Sequence, residues 1–561
     1  MAVREQNSDI ATTTVAFVGA GPTATYTLHT LVRNAPVPFA LTIFEEQRSA
    51  GRGTPYRPGW NDPAMLSNIA SIEIPPLEQT LSEWLRAQSP DRLRAHGIEP
   101  DAINDRAFYP RLALGEFFKD QFEAILEHAR QNGIDVRLKT RCRVTDAVSG
   151  DDGMTLTVQP RHGSAYTERF DHVVLATGHQ WPAHPEVSPG YYASPWPASD
   201  LAKIAPTQVG IRGTSLTAID AAVALAVAHG SFDEKGDFVR YKPASGTQDF
   251  HMTMLSRKGL LPEADFYGPL PYDPLSVCTP DAVEKLIAAD EDNLLDRAFS
   301  LFKRELALAD PDYATSISLD GLSLEEFHDR YFAEREKADT FDWAKKNLAE
   351  AAENYRNKVT VPWRYAILRM HEPIELLVPH FEQEDYERFS KYFKPVFVDD
   401  YATVPHTSIR RMIALHEAGK LDIVALGDHY RLLHRSEGVA LETAAGTLNF
   451  PVFIEATGQK ALGAKSFPFP SLRQQGIVRD AAGSDGRNVR GIAIDDQFHP
   501  ISDALPEGQL YCLSLPFILG RHPFHQGITS SHAMGLSVGE ELAGLIATRR
   551  RSARQEAKAS A

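Results

Sequence analysis

The feature that most limits what this chain can fold into is the segment Val18-Gly19-Ala20-Gly21-Pro22-Thr23-Ala24. A short apolar run, 14–17, precedes it, and residues 25–32 read as a helix. Residues 39–44 then read as a strand that ends in Glu45-Glu46. Strand, glycine-rich turn, helix, strand and acid, in that order, form a dinucleotide-binding fingerprint. Gly19 permits the tight turn, and Gly21 lets a pyrophosphate approach the backbone at a helix N-terminus. Thr23 belongs to the same turn, and Ala24, in place of a third glycine, still allows close helix–strand packing. Glu45 stands where a carboxylate can accept both ribose hydroxyls of an ADP moiety.

Two later segments echo this architecture. Residues 171–178 (Asp-His-Val-Val-Leu-Ala-Thr-Gly) form an apolar strand ending in a small-residue turn at Thr177 and Gly178, and residues 452–458 nearly copy it. Their position downstream of the fingerprint implies that the chain leaves a flavin domain and re-enters it. Between them, Val209-Gly210-Ile211-Arg212-Gly213-Thr214-Ser215-Leu216-Thr217 resembles a second dinucleotide turn. Gly213, Ser215 and Thr217 are its candidate contacts, with Ser215 replacing the expected middle glycine. The next strand, 251–255, runs into Ser256-Arg257-Lys258. An acid there would read a bare ribose; Arg257 and Lys258 instead suit a 2′-phosphate, which favours NADPH over NADH. A packed strand–helix turn and a solvated basic loop are the alternatives.

Composition removes several other classes. The chain has 561 residues, 43% hydrophobic and 9% aromatic, ample for packed cores. Its formal charge is −16, which argues against a nucleic-acid groove. No run of about 18 apolar residues exists, so no membrane span is expected. The polar residues 1–14 carry no apolar signal core, and a cytoplasmic protein is expected. Three cysteines, Cys142, Cys278 and Cys512, lie far apart without a CxxC, which speaks against a disulfide scaffold, a thiolate metal site and a dithiol shuttle. No metal is expected.

Residues 281–309 and 324–358 carry apolar side chains at helical spacing with charges between them. They read as a helical domain that caps the active site, forms a dimer face, or both, so a homo-oligomer is an open expectation. Arg364 and Arg369 in 361–371, and Arg410 in 404–411, are candidate clamps for a carboxylate-bearing substrate, since guanidinium pairs bidentately with carboxylate. Structural ion pairs are the equal alternative. His522 and His525 are candidate active-site histidines, either of which can shuttle a proton; loop histidines bonded to backbone are the alternative. Arg549-Arg550-Arg551 read as a solvated end.

Taken together these pieces resemble the FAD/NAD(P)-binding flavoprotein monooxygenases, a group that includes N-hydroxylating enzymes. The resemblance rests on Gly19-x-Gly21-Pro22-Thr23-Ala24, Gly51-Arg52-Gly53-Thr54-Pro55-Tyr56 with Leu66-Ser67-Asn68, Ala176-Thr177-Gly178-His179, Ser194-Pro195-Trp196-Pro197, 256–262 and Glu455-Ala456-Thr457-Gly458. It implies an α/β fold with two dinucleotide-binding (Rossmann-like) domains and a helical insertion domain. It divides the chain into an FAD-binding segment at 1–185, an NADPH-binding domain at 186–275, a helical domain at 276–400, a second FAD segment at 401–547 and a flexible tail at 548–561. Flavin contacts are implied for Gly53, Thr54, Asn68, Val144, Gln526, Gly527 and Ile528. The last three lie at a helix N-terminus, whose dipole favours negative charge on a reduced ring. The implied activity is FAD-, NADPH- and O2-dependent N-hydroxylation of a small amino acid through a flavin C4a-hydroperoxide, with conversion of L-aspartate to nitrosuccinate as the leading case. The alternatives are an NADPH-dependent flavin oxidase or oxygenase acting on another nucleophile, and a redox-responsive flavoprotein without turnover.

Overall fold

The computed structural model describes residues 12–182, 184–484 and 489–559. Of the expected polar N-terminus and C-terminal tail, 1–11 and 560–561 lie outside them. Strand β1 (Thr14–Val18) runs into the helix Pro22–Asn34 and returns as β2 (Ala40–Glu45); the helix Arg111–Gln131 leads to β3 (Asp135–Thr140). An antiparallel sheet of β4 (Cys142–Gly150), β5 (Gly153–Pro160) and β6 (Tyr166–Phe170) precedes β7 (His172–Leu175). The chain crosses through β8 (Glu186–Ser188) and β9 (Tyr191–Tyr192) to β10 (Gln208–Arg212) and the helix Leu216–His229. A hairpin, β11 (Gly230–Lys235) and β12 (Phe238–Pro243), leads to β13 (His251–Ser256). Helices from Pro280 to Tyr401 form the middle of the chain. The helix His406–Glu417, β14 (Leu421–Ala425), a meander of β15 (Tyr430–His434), β16 (Val439–Thr443) and β17 (Gly446–Phe450), and β18 (Val452–Glu455) follow. Strand β19 (Leu510–Cys512) and the helix Ile528–Ala559 finish the chain.

Two main sheets result. The first is parallel throughout, in the order β19-β7-β1-β2-β3. Its central strand is buried from Val15 to Val18, as a strand covered on both faces must be. The helices Pro22–Asn34 and Ile528–Ala559 pack together on it, and Thr23 Oγ1 and Ser531 Oγ share a hydrogen bond of 3.0 Å. The second sheet runs β14-β13-β10-β18-β9-β8, with β10 between two parallel neighbours. The middle helices bury a separate core rich in phenylalanine, including Phe299, Phe302, Phe327, Phe393 and Phe397. The fold is therefore the expected α/β arrangement, two dinucleotide-type sheets with a helical middle domain. Among the described residues no helix is long and apolar enough to cross a membrane.

Two expectations need correction. The stretch from 401 does not return at once to the first sheet: β14 and β18 hydrogen-bond into the second, Val452–Glu455 lying beside Val209–Arg212. The second Ala-Thr-Gly turn thus belongs to the second unit, and the first core is rejoined only from Ala464 onward. The physical reason is the parallel register of β18 on β10, which satisfies the edge that β10 would otherwise expose. The expected tail is helical over 548–559, and Arg549 Nη1 sits 2.6 Å from Asp171 Oδ1 rather than in free solvent.

Candidate active site

The first turn is shaped by close backbone approach. Gly19 N donates to Phe44 O at 2.9 Å, and Gly19 has φ +99°. A Cβ at Gly19 would lie 2.3 Å from Ala176 O, so the turn packs directly on the small-residue end of β7. Gly21 caps the following helix without a side-chain bond, leaving the first-turn N–H groups open to an anion. Glu45 is fixed at the end of β2 by Ala20 N at 3.1 Å and Gln47 N at 2.8 Å. Burial raises its carboxyl above the ordinary range. On the other side, Thr177 Oγ1 and Ser514 Oγ are 2.7 Å apart, and the Ser514 hydroxyl donates to Leu175 O at 3.2 Å. This ties the β7 turn to the end of β19.

The second turn repeats the packing with different chemistry. Gly213 N donates to Leu255 O at 2.7 Å, Gly213 has φ +130°, and a Cβ there would meet Ala456 O at 2.5 Å. Ser215 is exposed at the helix N-cap, and its hydroxyl makes no capping bond. Thr214 Oγ1 donates to Ser256 Oγ at 3.0 Å, and that oxygen also takes Gly259 N at 3.1 Å. Arg212 Nε lies 2.6 Å from Glu455 Oε2, tying β10 to β18.

Both turns open on one cavity of about 1380 Å³. Of the residues singled out in the sequence, it brings together Gly19, Gly21, Thr23, Glu45, Gly53, Thr54, Asn68, Val144, Thr177, Gly178, Gly213, Ser215, Thr217, Ser256, His525, Gln526, Gly527 and Ile528. Ala24 is fully buried behind the turn, where its small side chain serves packing. Arg257 and Lys258 are outside the cavity wall. Arg257 is 41% exposed and 3.8 Å from Asp428, while Lys258 pairs with Glu336 over the Phe332 ring.

The three candidate substrate arginines do not reach the cavity. Arg364 is buried against Glu263 at 3.0 Å, Arg369 donates to the carbonyls of Tyr365, Asp273 and Pro274, and Arg410 pairs with Asp237 at 2.5 Å. Each holds elements together, because a guanidinium inside a packed unit needs its counter-charge or carbonyl partners there.

Sequence reasoning missed two groups that line this space. Arg111, at the start of its helix, pairs with Asp220 of the second unit at 2.7 Å, and both are nearly buried. Beside them burial pulls His179 down to about 4, with Arg111 adding to the effect. The second group faces the middle domain: Glu73, Arg106, Asp265, Tyr272 and Tyr355. Asp265 accepts from the Tyr355 hydroxyl and from Thr403 Oγ1, and Glu73 takes Ala70 N at 3.1 Å. Burial, with Asp265 nearby, pushes Glu73 up to about 7; burial pushes Asp265 up to about 6. No local motif marks these residues, because segments far apart in sequence bring them together.

Among the described residues one trio could bring His and carboxylate donors to a single ion: Glu375, His522 and His525, whose donor atoms lie within 4.8 Å of one another. Glu375 Oε2 is 2.8 Å from His525 Nδ1, and Glu375 Oε1 accepts Phe524 N at 2.9 Å. His525 lines the cavity, whereas His522 is set behind it, tilted on Phe498 with ring centroids 5.2 Å apart. Burial, followed by the neighbouring His525, lowers His522 to about 4.

Two glycine cradles, two open helix N-termini and one half-buried acid on a shared cavity define a two-dinucleotide protein. Residues 16–180 match the FAD-NAD(P)-binding family, so the chain carries an FAD/NAD(P)-binding domain, and residues 279–401 match the YdhS-like middle domain. The chain is 42% identical over 523 residues to the uncharacterized protein YdhS of Escherichia coli (strain K12), covering 93% of this chain and 96% of that one. It belongs to the YdhS family. Among solved structures it is similar to the ornithine N-hydroxylase KtzI of Kutzneria sp. 744 (13% identity, 95% of this chain and 99% of that one, TM-score 0.48). It is also similar to the cadaverine monooxygenase DfoA of Erwinia amylovora (11% identity, 95% of each chain, TM-score 0.46).

Proposed function

We propose that this chain is an FAD- and NADPH-dependent monooxygenase that N-hydroxylates a small amine or amino acid. The observation that carries the reading is the single cavity shared by both dinucleotide turns. Two nucleotides held there would have their redox rings in a common chamber, which hydride transfer requires. FAD would lie on the first unit, its pyrophosphate at Gly19, Gly21 and Thr23, its ribose at Glu45, and its ring toward Gln526, Gly527 and Ile528. NADPH would lie on Gly213, Ser215 and Thr217, with Ser256 and Arg257 toward the 2′-phosphate. The flavin, when bound, supplies the electron transfer and oxygen activation.

The remaining work falls to the protein. Positive helix N-termini hold the phosphates, Glu45 orients the ribose, and the enclosing walls exclude water. The wall of Glu73, Asp265, Tyr272 and Tyr355 suits a substrate ammonium: carboxyls attract it and aromatic faces add to the attraction. These carboxyls are also acceptors for the proton that an amine must lose before its nitrogen can attack. L-Aspartate, with two carboxylates of its own, finds no clamp in Arg364, Arg369 or Arg410; on the cavity wall Arg106 is engaged by Gly268 O and the Tyr267 ring and Arg111 by Asp220, so a cationic amine is the better substrate class.

A screen of amino acids and polyamines with FAD-loaded protein, NADPH and O2 tests the proposal. Hydroxylated product is expected with at least one cationic amine and supports the reading. NADPH consumption that yields hydrogen peroxide with every amine would point to an oxidase. An unbleached flavin would point to a redox-responsive protein.

A further inference from the structure

The last loop before the final helix meets the middle domain at one charged contact. Glu375 closes the helix Pro362–Glu375 and is 11% exposed. Both of its oxygens are engaged, one by Phe524 N at 2.9 Å and the other by His525 Nδ1 at 2.8 Å. His525 lies next to Gln526, Gly527 and Ile528 and lines the nucleotide cavity with them. Its Nδ1 is committed to Glu375, so Nε2, on the opposite side of the ring, is the nitrogen left to serve the cavity. The other groups that face this pair are His522 on the same loop, Lys394 and Tyr401 at the two ends of the helix Lys394–Tyr401, and His371 beside Phe524. Arg521, one residue from His522, is held by Asp496.

We propose that Glu375 is a positioning residue, supplied by the middle domain, that holds His525 with Nδ1–H on its carboxylate and Nε2 turned toward the flavin-side chamber. The proposal rests on the reading that flavin occupies the first unit. The pair then carries a proton with simple bookkeeping. A protonated His525 gives up the Nε2 proton to an acceptor in the chamber, and the neutral ring left behind keeps Nδ1–H on Glu375. The carboxylate fixes the tautomer and stabilises the imidazolium without itself taking the proton. His522, half-buried with its Nε2 shielded and unpartnered, supports the ring from behind. The trio reads as a hydrogen-bonded unit more readily than as an ion cage, since binding an ion would break the Glu375–His525 bond.

The test uses the full chain loaded with FAD, with histidine ring nitrogens labelled for NMR. In the wild type, neutral His525 is expected as the Nδ1–H tautomer; the Nε2–H tautomer would overturn the proposal without any variant. Glu375→Gln should let the Nε2–H tautomer of His525 appear in the same spectrum and should act on flavin reoxidation. It should slow that step by about tenfold, as for loss of one charge-assisted hydrogen bond. In a His525→Gln background, adding Glu375→Gln should have no further effect on the rate. Equal slowing in both backgrounds would reduce Glu375 to a structural contact and overturn the proposal. So would one equivalent of a divalent ion that is retained by wild type and lost in all three of Glu375→Gln, His522→Ala and His525→Ala. The NMR readout does not depend on turnover, so failure of NADPH to reduce the flavin leaves this test intact.

Discussion

The two dinucleotide units solve the same steric problem and diverge where a ligand is chosen. In each, a positive-φ glycine lies against the carbonyl of the alanine in an Ala-Thr-Gly turn: Gly19 on Ala176 and Gly213 on Ala456. Packing of that kind is a property of the fold. The second strand of the first unit ends in the carboxylate of Glu45, whereas that of the second ends at Ser256 with Arg257 following. The first turn has Gly21 where the second has Ser215. The final helix closes over the first turn through Thr23 and Ser531. Shared geometry and divergent chemistry suit one nucleotide that stays and another that comes and goes.

The strongest way to break this comparison is to fill each cradle. Gly19→Val puts a β-branched side chain at positive φ against Ala176 O, and strain on the order of 3 kcal/mol is expected. The purified protein should be colourless and should not take up FAD. Gly213→Val should keep its flavin while anaerobic reduction by NADPH slows by about 100-fold. Both would be read by visible absorbance and stopped-flow mixing. Loss of flavin from the second variant would show that the units are not separable.

The bridge between the units gives the next effect. Arg111→Ala leaves Asp220 buried without its partner, at about 3 kcal/mol. Thermal unfolding should record that loss. Asp220→Asn in the same chain should recover part of it, because no uncompensated charge then remains.

Coenzyme choice sharpens the contrast itself. Arg257→Ala should raise the KM for NADPH about tenfold, the range of one charge-assisted hydrogen bond, and leave that for NADH little changed. Equal effects on both coenzymes would remove Arg257 from the 2′-phosphate site. Its present neighbour, Asp428 at 3.8 Å, is too distant and exposed to compete strongly with a phosphate.

The smallest effect lies in the acidic wall. Glu73 is pushed up to about 7 by burial, so the folded state favours its protonated form. Its contribution to stability is full below the unfolded value near 4.3 and is lost as pH rises through about 7. Glu73→Gln should therefore raise Tm relative to wild type at pH 8 and change it little at pH 4. Amine affinity in the wild type should rise across pH 6 to 8 as Glu73 and Asp265 ionise, and Glu73→Gln should flatten that rise.

How far the sequence could be read follows from the range of the interactions involved. The turns at Gly19 and Gly213 are encoded within a few residues, because a positive-φ glycine and a helix N-terminus are local devices. The acid at Glu45 and the base at Arg257 follow at strand ends for the same reason. The pairing of β18 with β10 is not local: Val452–Glu455 looks as suited to the first sheet as to the second, and only register across the folded chain decides. The arginines at 364, 369 and 410 misled for a related reason. A guanidinium reads the same in sequence whether it meets a substrate or Glu263, and burial of its partner decides which. Glu73 with Asp265, and Glu375 with His525, carry no motif, since each pair joins distant segments.

Anaerobic mixing of FAD-loaded protein with one equivalent of NADPH tests the shared chamber most directly. The visible flavin band should bleach in a single NADPH-dependent phase, faster with NADPH than with NADH. A band that persists while NADPH demonstrably binds would mean that the two nucleotides do not meet in this cavity.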